Sequence, residues 1–274
     1  MTNRREFDDY VQNYDESYND SIQKLSAFGR DYFVQYKIDI VKEKINYAGS
    51  SVEAKTPSLA AVIASHLSKV GCGKSRFFRK NKLFPHPPPK KILDFGCGDG
   101  LACELLKKAF PQSEIVGVDV SEESIKIAKE KNCGCEFFVY DGLELPFETE
   151  EFDLIFSSCV FHHIEAQNQL HLLQELQRIS NKGAKLFIFE HNPINPLTRK
   201  IFKDCIFDKG AEMIGAKNLQ ELVKKAKFQE AKISYTLFFP RYKLFEKFFA
   251  LEKYFSGCCI GAQYYVEASK IIIV

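Results

Sequence analysis

Residues 92–100 read Ile-Leu-Asp-Phe-Gly-Cys-Gly-Asp-Gly. An apolar run carries a carboxylate, Asp94, and then meets glycine at every second position, Gly96, Gly98 and Gly100. Glycine adopts backbone angles closed to other residues and lets a ligand approach the main chain. Leu101–Ala109 has helical patterning, so the free N–H groups of its first turn point at whatever the loop holds. The chemistry of such a turn is recognition of a polar ligand. Dinucleotide sites share it, but their glycines follow G-x-G-x-x-G, whereas these follow G-x-G-x-G.

Further candidate ligands close the next apolar runs. Asp119 ends Val116-Gly117-Val118-Asp119, where a carboxylate can accept hydrogen bonds from both hydroxyls of a ribose. Ser121 is the better helix cap, with Glu122 and Glu123 in the first turn, where the helix dipole favours acids. Asp141-Gly142 follows a third run, Glu136–Tyr140, and alone reads equally as a common turn. Phe152-Asp153-Leu154-Ile155-Phe156-Ser157-Ser158 is a fourth run, continued by Cys159-Val160-Phe161-His162-His163-Ile164.

These four segments, in this order, resemble the class I S-adenosylmethionine-dependent methyltransferases. The resemblance is best over about residues 90–190. It implies that Asp94, Gly96, Cys97 and Gly98 hold the amino-acid end of S-adenosylmethionine and that Asp119 holds the ribose. It implies Asp141 and Gly142 at the adenine, with Gly100, Val120 and Ser157 in the same cofactor set. The product would be S-adenosylhomocysteine, and no metal is implied. Phe7-Asp8-Asp9-Tyr10-Val11-Gln12-Asn13-Tyr14-Asp15 resembles the family's N-terminal lid segment. Tyr10 and Tyr14, four apart, would share one helical face; packing of that face on the core is an equally good reading.

Methyl transfer needs a nucleophile held in line with the activated methyl group. It needs a base only when that nucleophile must lose a proton, as a sugar hydroxyl must. The candidates are His162, His163, His191 and Glu190. One of the first two is expected to face the pocket and the other to pack on the sheet. Glu190, His191 and Asn192 are expected on the substrate side, with His191 opening the loop after the fifth strand. The segment Glu190-His191-Asn192-Pro193-Ile194-Asn195-Pro196, with Gly261-Ala262-Gln263-Tyr264-Tyr265, resembles a group of bacterial methyltransferases assigned mainly from sequence, for which small molecules or surface sugars are the expected acceptors. Rival readings are a nucleic-acid methyltransferase and a non-catalytic scaffold that binds the cofactor. Against the first, Ser157-Ser158-Cys159-Val160 stands where amino-methylating enzymes of nucleic acids carry Asn/Asp-Pro-Pro-aromatic. Against the second, Asp94, the glycines and Asp119 are all present.

The elements that must position these residues alternate between strand and helix from Lys91 onward. The pattern predicts an α/β fold, a Rossmann-like, mostly parallel sheet with helices on both faces. The resemblance implies seven strands in the order 3-2-1-4-5-7-6, the last antiparallel. Predicted strands are Ile92–Phe95, Glu114–Asp119, Glu136–Tyr140, Phe152–Ser157, Ala184–Glu190, Ala231–Phe239 and Gln263–Val274. Residues 1–70 read as a helical cap, with helices over Asp31–Tyr47 and from Pro57. Residues 71–90 read as a Pro-rich linker or insertion, and 91–274 as the methyltransferase domain. Tyr242–Phe255 reads as one amphipathic helix whose Leu244, Phe245, Phe248, Phe249 and Phe255 pack into the core.

The chain has 274 residues, enough to bury a core without disulfide staples. Lysine and arginine number 38 against 36 acidic residues, a net charge of +2 that favours no polyanionic partner. A small-molecule acceptor therefore fits better than nucleic acid; oligomeric state is not encoded legibly. Nine cysteines, an odd number, with no apolar signal core ahead of them, fit free thiols in the cytoplasm. Cys133, Cys135, Cys258 and Cys259 lack zinc-site spacing and read as small buried hydrophobes. No apolar run approaches the roughly 20 residues that span a bilayer.

Overall fold

The computed structural model describes residues 28–45, 88–205, 208–249 and 251–271. Tyr10, Tyr14, the helix expected from Pro57 and residues 71–87 lie outside the described residues.

Seven strands form one sheet in the order β3-β2-β1-β4-β5-β7-β6. They are β1 (Lys91–Phe95), β2 (Glu114–Asp119), β3 (Glu136–Val139), β4 (Phe152–Ser158), β5 (Ser180–His191), β6 (Gln229–Thr236) and β7 (Gln263–Ser269). Strands β1 to β5 run parallel, and β7 is antiparallel to both β5 and β6. The expected order and the reversed last strand are both present.

Side chains alternate across a strand, so the buried strands feed two cores. Leu93, Phe95, Val116, Val118, Ile155, Leu186 and Ile188 point to one face. There they meet Leu172, Leu173 and Leu176 of α4 (Ala166–Ile179) and Leu219 and Val223 of α6 (Ala216–Lys225). Ile92, Ile115, Leu154, Phe156, Phe187 and Phe189 point to the other face. They meet Leu106 of α2 (Leu101–Ala109), Ile125 of α3 (Glu122–Glu130), and Ile38 and Val41 of α1 (Arg30–Lys44).

Strand order reverses between β1 and β4, which opens a crevice beyond their carboxyl ends. Helix α1 lies beside that crevice. Tyr36 ties it to the C-terminal region, its hydroxyl lying 2.5 Å from Thr236 Oγ1 and donating to Glu252 Oε2 at 2.8 Å. Glu252 is buried and also takes two hydrogen bonds from Arg241, at 3.1 and 2.7 Å. Its Oε1 accepts the N–H groups of Phe238 and Phe239.

That buried pair explains a departure from expectation. Tyr242–Phe255 is not one helix. It is a 3-10 turn at Lys243–Phe245 followed by α7 (Glu246–Phe249) and α8 (Glu252–Phe255). A straight helix would not turn Glu252 inward toward Arg241 while its aromatics covered the core. The chain wraps the ion pair instead, leaving Leu244, Phe248 and Phe255 at 82%, 46% and 45% exposure. Cys258 and Cys259 are likewise exposed, and Cys133 and Cys135 half-buried, because the sheet's own apolar residues fill both cores.

Strand β5 also begins earlier than expected. Asn181-Lys182-Gly183 lies within it, and Gly183 takes φ +85°. The pairing with β4 jumps from Phe152–Ser180 to Leu154–Lys185, so the turn signal became an irregularity within the strand. At the other end β5 extends to His191, which is strand, not loop. Among the described residues, no helix is long and apolar enough to cross a membrane.

Candidate active site

The crevice floor is the glycine turn after β1. Gly96 and Gly98 take φ +75° and +51°, the left-handed region that favours glycine. A Cβ on Gly96 would lie 2.3 Å from Val160 Cγ2, whereas one on Gly98 would meet nothing within 4 Å. Gly96 thus lets the turn pack on the β4 loop, and Gly98 keeps bare backbone toward the cleft. The Gly98 N–H donates to Asp119 Oδ2 at 2.8 Å, and the Ser121 N–H donates to Oδ1 at 3.0 Å. Asp119 is held in place by these bonds. Ser121 caps α3 by accepting from the Ser124 N–H at 3.1 Å, as its position predicts.

Asp94 is fully buried on β1, and its Oδ2 accepts from the Cys103 thiol at 3.3 Å. Burial pushes this carboxyl up to about 7. The roof of the cleft is α1, which contributes Arg30, Phe33, Val34 and Lys37. Arg30 and Lys131 both bond Asp99 Oδ2, at 2.6 and 2.7 Å, which clamps α1 to the glycine turn. Burial would raise Asp99, but those two cations outweigh it and hold the carboxyl low.

The far wall carries the histidines. His162 is buried, with Nδ1 2.6 Å from Glu190 Oε2 and Nε2 3.2 Å from Asp208 Oδ1. Burial opposes its charge, yet the two carboxylates push the imidazole up to about 10. Burial and the His162 charge push neighbouring His163 down to about 3. Lys37 reaches in from the roof, its Nζ 2.7 Å from Ser158 Oγ and 3.4 Å from Cys159 Sγ. Burial would raise the Cys159 thiol, but Lys37 and then His191 bring it down to about 6. His191 is raised in return, the Cys159 charge outweighing burial.

Of the residues expected at the site, Asp94, Gly96, Cys97, Gly98, Asp119, Val120, Gly142, His162, His163 and His191 line this one cleft. Gly100 does not; it is the left-handed residue that starts α2. Asp141 is exposed and folds back, its Oδ1 accepting from the Leu143 and Glu144 N–H groups at 2.8 Å each. That is the turn reading of Asp-Gly. Ser157 is fully buried beneath the cleft. Glu190 faces inward, Oε1 accepting from Val160 N–H at 3.0 Å and Phe161 N–H at 2.7 Å. Asn192 stitches β5 to the start of β7, its Nδ2 donating to Cys259 and Gly261 carbonyls at 2.8 and 2.7 Å. Both histidines of the 162–163 pair reach the cleft, where only one was expected to, because a 3-10 turn at Phe161–His163 places them together. Sequence reasoning missed Arg30, Lys37, Asp99, Cys159 and Asp208. Each is an ordinary residue type whose partner is far away in the chain.

Residues 92–183 match the family described as "Methyltransferase domain". Residues 92–183 are thus a methyltransferase domain, on a class I methyltransferase fold. Demethylmenaquinone methyltransferase of Thermotoga maritima is 34% identical over 116 residues, 42% of this chain and 50% of that protein. The human protein named "Probable tRNA methyltransferase 9B" is 37% identical over 103 residues, 37% of this chain and 21% of that protein. The chain therefore spans half the length of one curated relative and about a fifth of the other. Its fold is that of a crystallised SAM-dependent methyltransferase of Thermotoga maritima, with a TM-score of 0.52 and 23% identity. That match covers 68% of this chain and 83% of the other.

The cleft fits the family's cofactor. The buried carboxyl of Asp94, which accepts from a thiol, sits where an ammonium would satisfy it. Gly98 offers backbone with open space above it, and Asp119 is fixed one strand away.

Proposed function

We propose that this chain transfers the methyl group of S-adenosylmethionine to a small-molecule acceptor. The observation that carries the reading is the two-ended cleft. One end presents Asp94, Gly98 and Asp119, the other His163, Cys159 and His191, under the roof of α1. When bound, S-adenosylmethionine supplies a methyl group already activated by its sulfonium. Asp94 and the glycine turn hold the amino-acid end, and Asp119 accepts from the ribose hydroxyls. Tyr140 and Gly142 flank the base. Phe33 and Val34 of α1 exclude water from above, and positioning of this kind is worth roughly 7–11 kcal/mol of a barrier. His162 is locked between Glu190 and Asp208 and acts as a support, so the acceptor is met by His163, Cys159 and His191.

A roofed cleft suits an acceptor that enters whole. The charge balance of 38 basic to 36 acidic residues gives the chain no net attraction for a polyanion. The test is calorimetric titration with S-adenosylmethionine, S-adenosylhomocysteine and NADH, then label transfer from the methyl donor to a small-molecule panel and to tRNA. Micromolar binding of the first two ligands, none of NADH, and label on a small molecule are expected. Label on tRNA alone would overturn the acceptor class, and no binding of either methyl-cycle ligand would overturn the whole reading.

A further inference from the structure

His162, His163 and Asp208 each offer one ligand atom, and all three atoms lie within 4.8 Å of one another on the wall of the cleft. Asp208 Oδ1 is 3.2 Å from His162 Nε2 and 3.6 Å from His163 Nε2. Donor atoms about 2.0–2.1 Å from a tetrahedral ion are about 3.3–3.4 Å apart. The two separations bracket that figure.

The surroundings are those of a metal-binding imidazole. Glu190 Oε2 engages His162 Nδ1 at 2.6 Å, which leaves Nε2 directed at Asp208. Metal-bound histidines characteristically give their other ring nitrogen to such a carboxylate. Glu190 is itself fixed by the N–H groups of Val160 and Phe161. Phe202 of α5 (Pro196–Asp204) packs edge-on against the His162 ring, with centroids 5.3 Å apart, and so sets its rotation. Nothing in the sequence announces this set, because Asp208 follows His162 by 46 positions.

We infer that His162, His163 and Asp208 form a binding site for one divalent transition-metal ion at the acceptor end of the cleft. Two imidazoles and one carboxylate suit zinc, manganese or ferrous iron better than calcium or magnesium, which prefer oxygen ligands. In the metal-free chain a proton on His162 Nε2 bridges to Asp208. The ion takes that position and the proton is released to solvent. Three protein ligands leave coordination free toward the cleft, where an acceptor oxygen can bind and lose its proton more readily. That use of the site rests on the methyltransferase reading; the site itself does not.

The test is titration of chelator-treated full-length protein with Co(II) alone, read by visible absorption and by calorimetry. One equivalent should bind, with ligand-field bands of nitrogen and oxygen ligation and no thiolate charge-transfer band. His163→Ala and Asp208→Asn should each abolish stoichiometric binding while circular dichroism stays unchanged. Glu190→Gln should weaken it about 10–100-fold, the effect of an orienting partner. Absence of stoichiometric binding would overturn the inference. So would binding that survives both ligand substitutions, or a thiolate band showing that Cys159 or Cys205 holds the ion. Titration of the same preparation with S-adenosylhomocysteine separates the two readings: intact binding there with no cobalt binding removes the metal site alone.

Discussion

Lys37 of the N-terminal helix places its Nζ 3.4 Å from the Sγ of Cys159, across 122 positions of sequence. The ammonium is buried and reaches Cys159 over the top of the cleft, so roof and wall are joined by one charged contact. Cys159 itself has φ +61°, an uncommon angle for a residue with a side chain, and it turns its thiol toward that ammonium. The thiolate form is favoured because a cation faces it from α1 and His191 faces it from β5.

Cys159 should therefore react with iodoacetamide in proportion to a thiolate that titrates near pH 6. The sign follows from the lowered value: reactivity rises as pH climbs through 6 and is level above 7. Lys37→Met should move the midpoint up toward the ordinary thiol value of about 8.5. S-adenosylhomocysteine should protect the residue. Peptide mass spectrometry at Cys159 reads all three effects separately from the other thiols.

Gly96 and Gly98 should part company when each is changed to alanine. At Gly96 the new Cβ meets Val160 at 2.3 Å, so Gly96→Ala adds a clash to an unfavourable angle. A loss of about 2–4 kcal/mol is expected in urea unfolding. At Gly98 there is open space, and Gly98→Ala should cost about 1–2 kcal/mol from backbone conformation alone. Its larger effect should be on S-adenosylhomocysteine affinity, because the methyl group enters the cleft.

These two glycines also show why parts of the molecule were legible in the sequence and others were not. Strand-ending acids, alternating glycines and apolar runs are local signals, and the strands, the glycine turn and the Ser121 cap follow from them, whereas the sheet order comes from the family resemblance those signals carry. Asp141 shows the limit: an Asp-Gly pair after a strand has two meanings, and here its carboxylate closes on Leu143 and Glu144. The aromatic run at 242–255 shows another. Periodicity saw apolar residues at helical spacing but not the Arg241–Glu252 pair that breaks the helix and turns the stripe outward. The Lys37, Arg30 and Asp208 contacts depend on three-dimensional closure of distant segments, for which no spacing rule exists.

Cofactor affinity should depend on pH through Asp94. Its folded value, raised to about 7 by burial, lies above the usual carboxylate range. In the free protein the neutral form is favoured; that stability is full at low pH and is lost as pH rises through 7. Binding a ligand ammonium reverses the preference and releases the proton. S-adenosylhomocysteine affinity should therefore rise by up to about tenfold per pH unit below 7 and level off above it. Asp94→Asn should bind weakly and flatten the profile. Calorimetry from pH 5.5 to 8.5 in buffers of different ionisation heat checks both the slope and the proton released.

The Arg241–Glu252 pair should govern the roof although it lies away from the glycine turn. Both side chains are nearly inaccessible, and Glu252 Oε2 also holds the Tyr36 hydroxyl of α1 at 2.8 Å. Breaking a buried ion pair strands the remaining charge, so Arg241→Ala should cost about 3–5 kcal/mol in urea unfolding. It also removes the cation over the Phe249 and Tyr36 rings, 4.1 and 4.7 Å from their centroids. Tyr36→Phe keeps the ion pair and deletes only the tether, so its stability loss should be about 1–2 kcal/mol. If α1 is held as a roof by that tether, Tyr36→Phe should loosen S-adenosylhomocysteine binding several-fold and speed amide exchange along 30–44 more than in the sheet. Unchanged affinity and unchanged exchange in α1 would mean that the Arg30–Asp99 clamp holds the helix without help from Glu252.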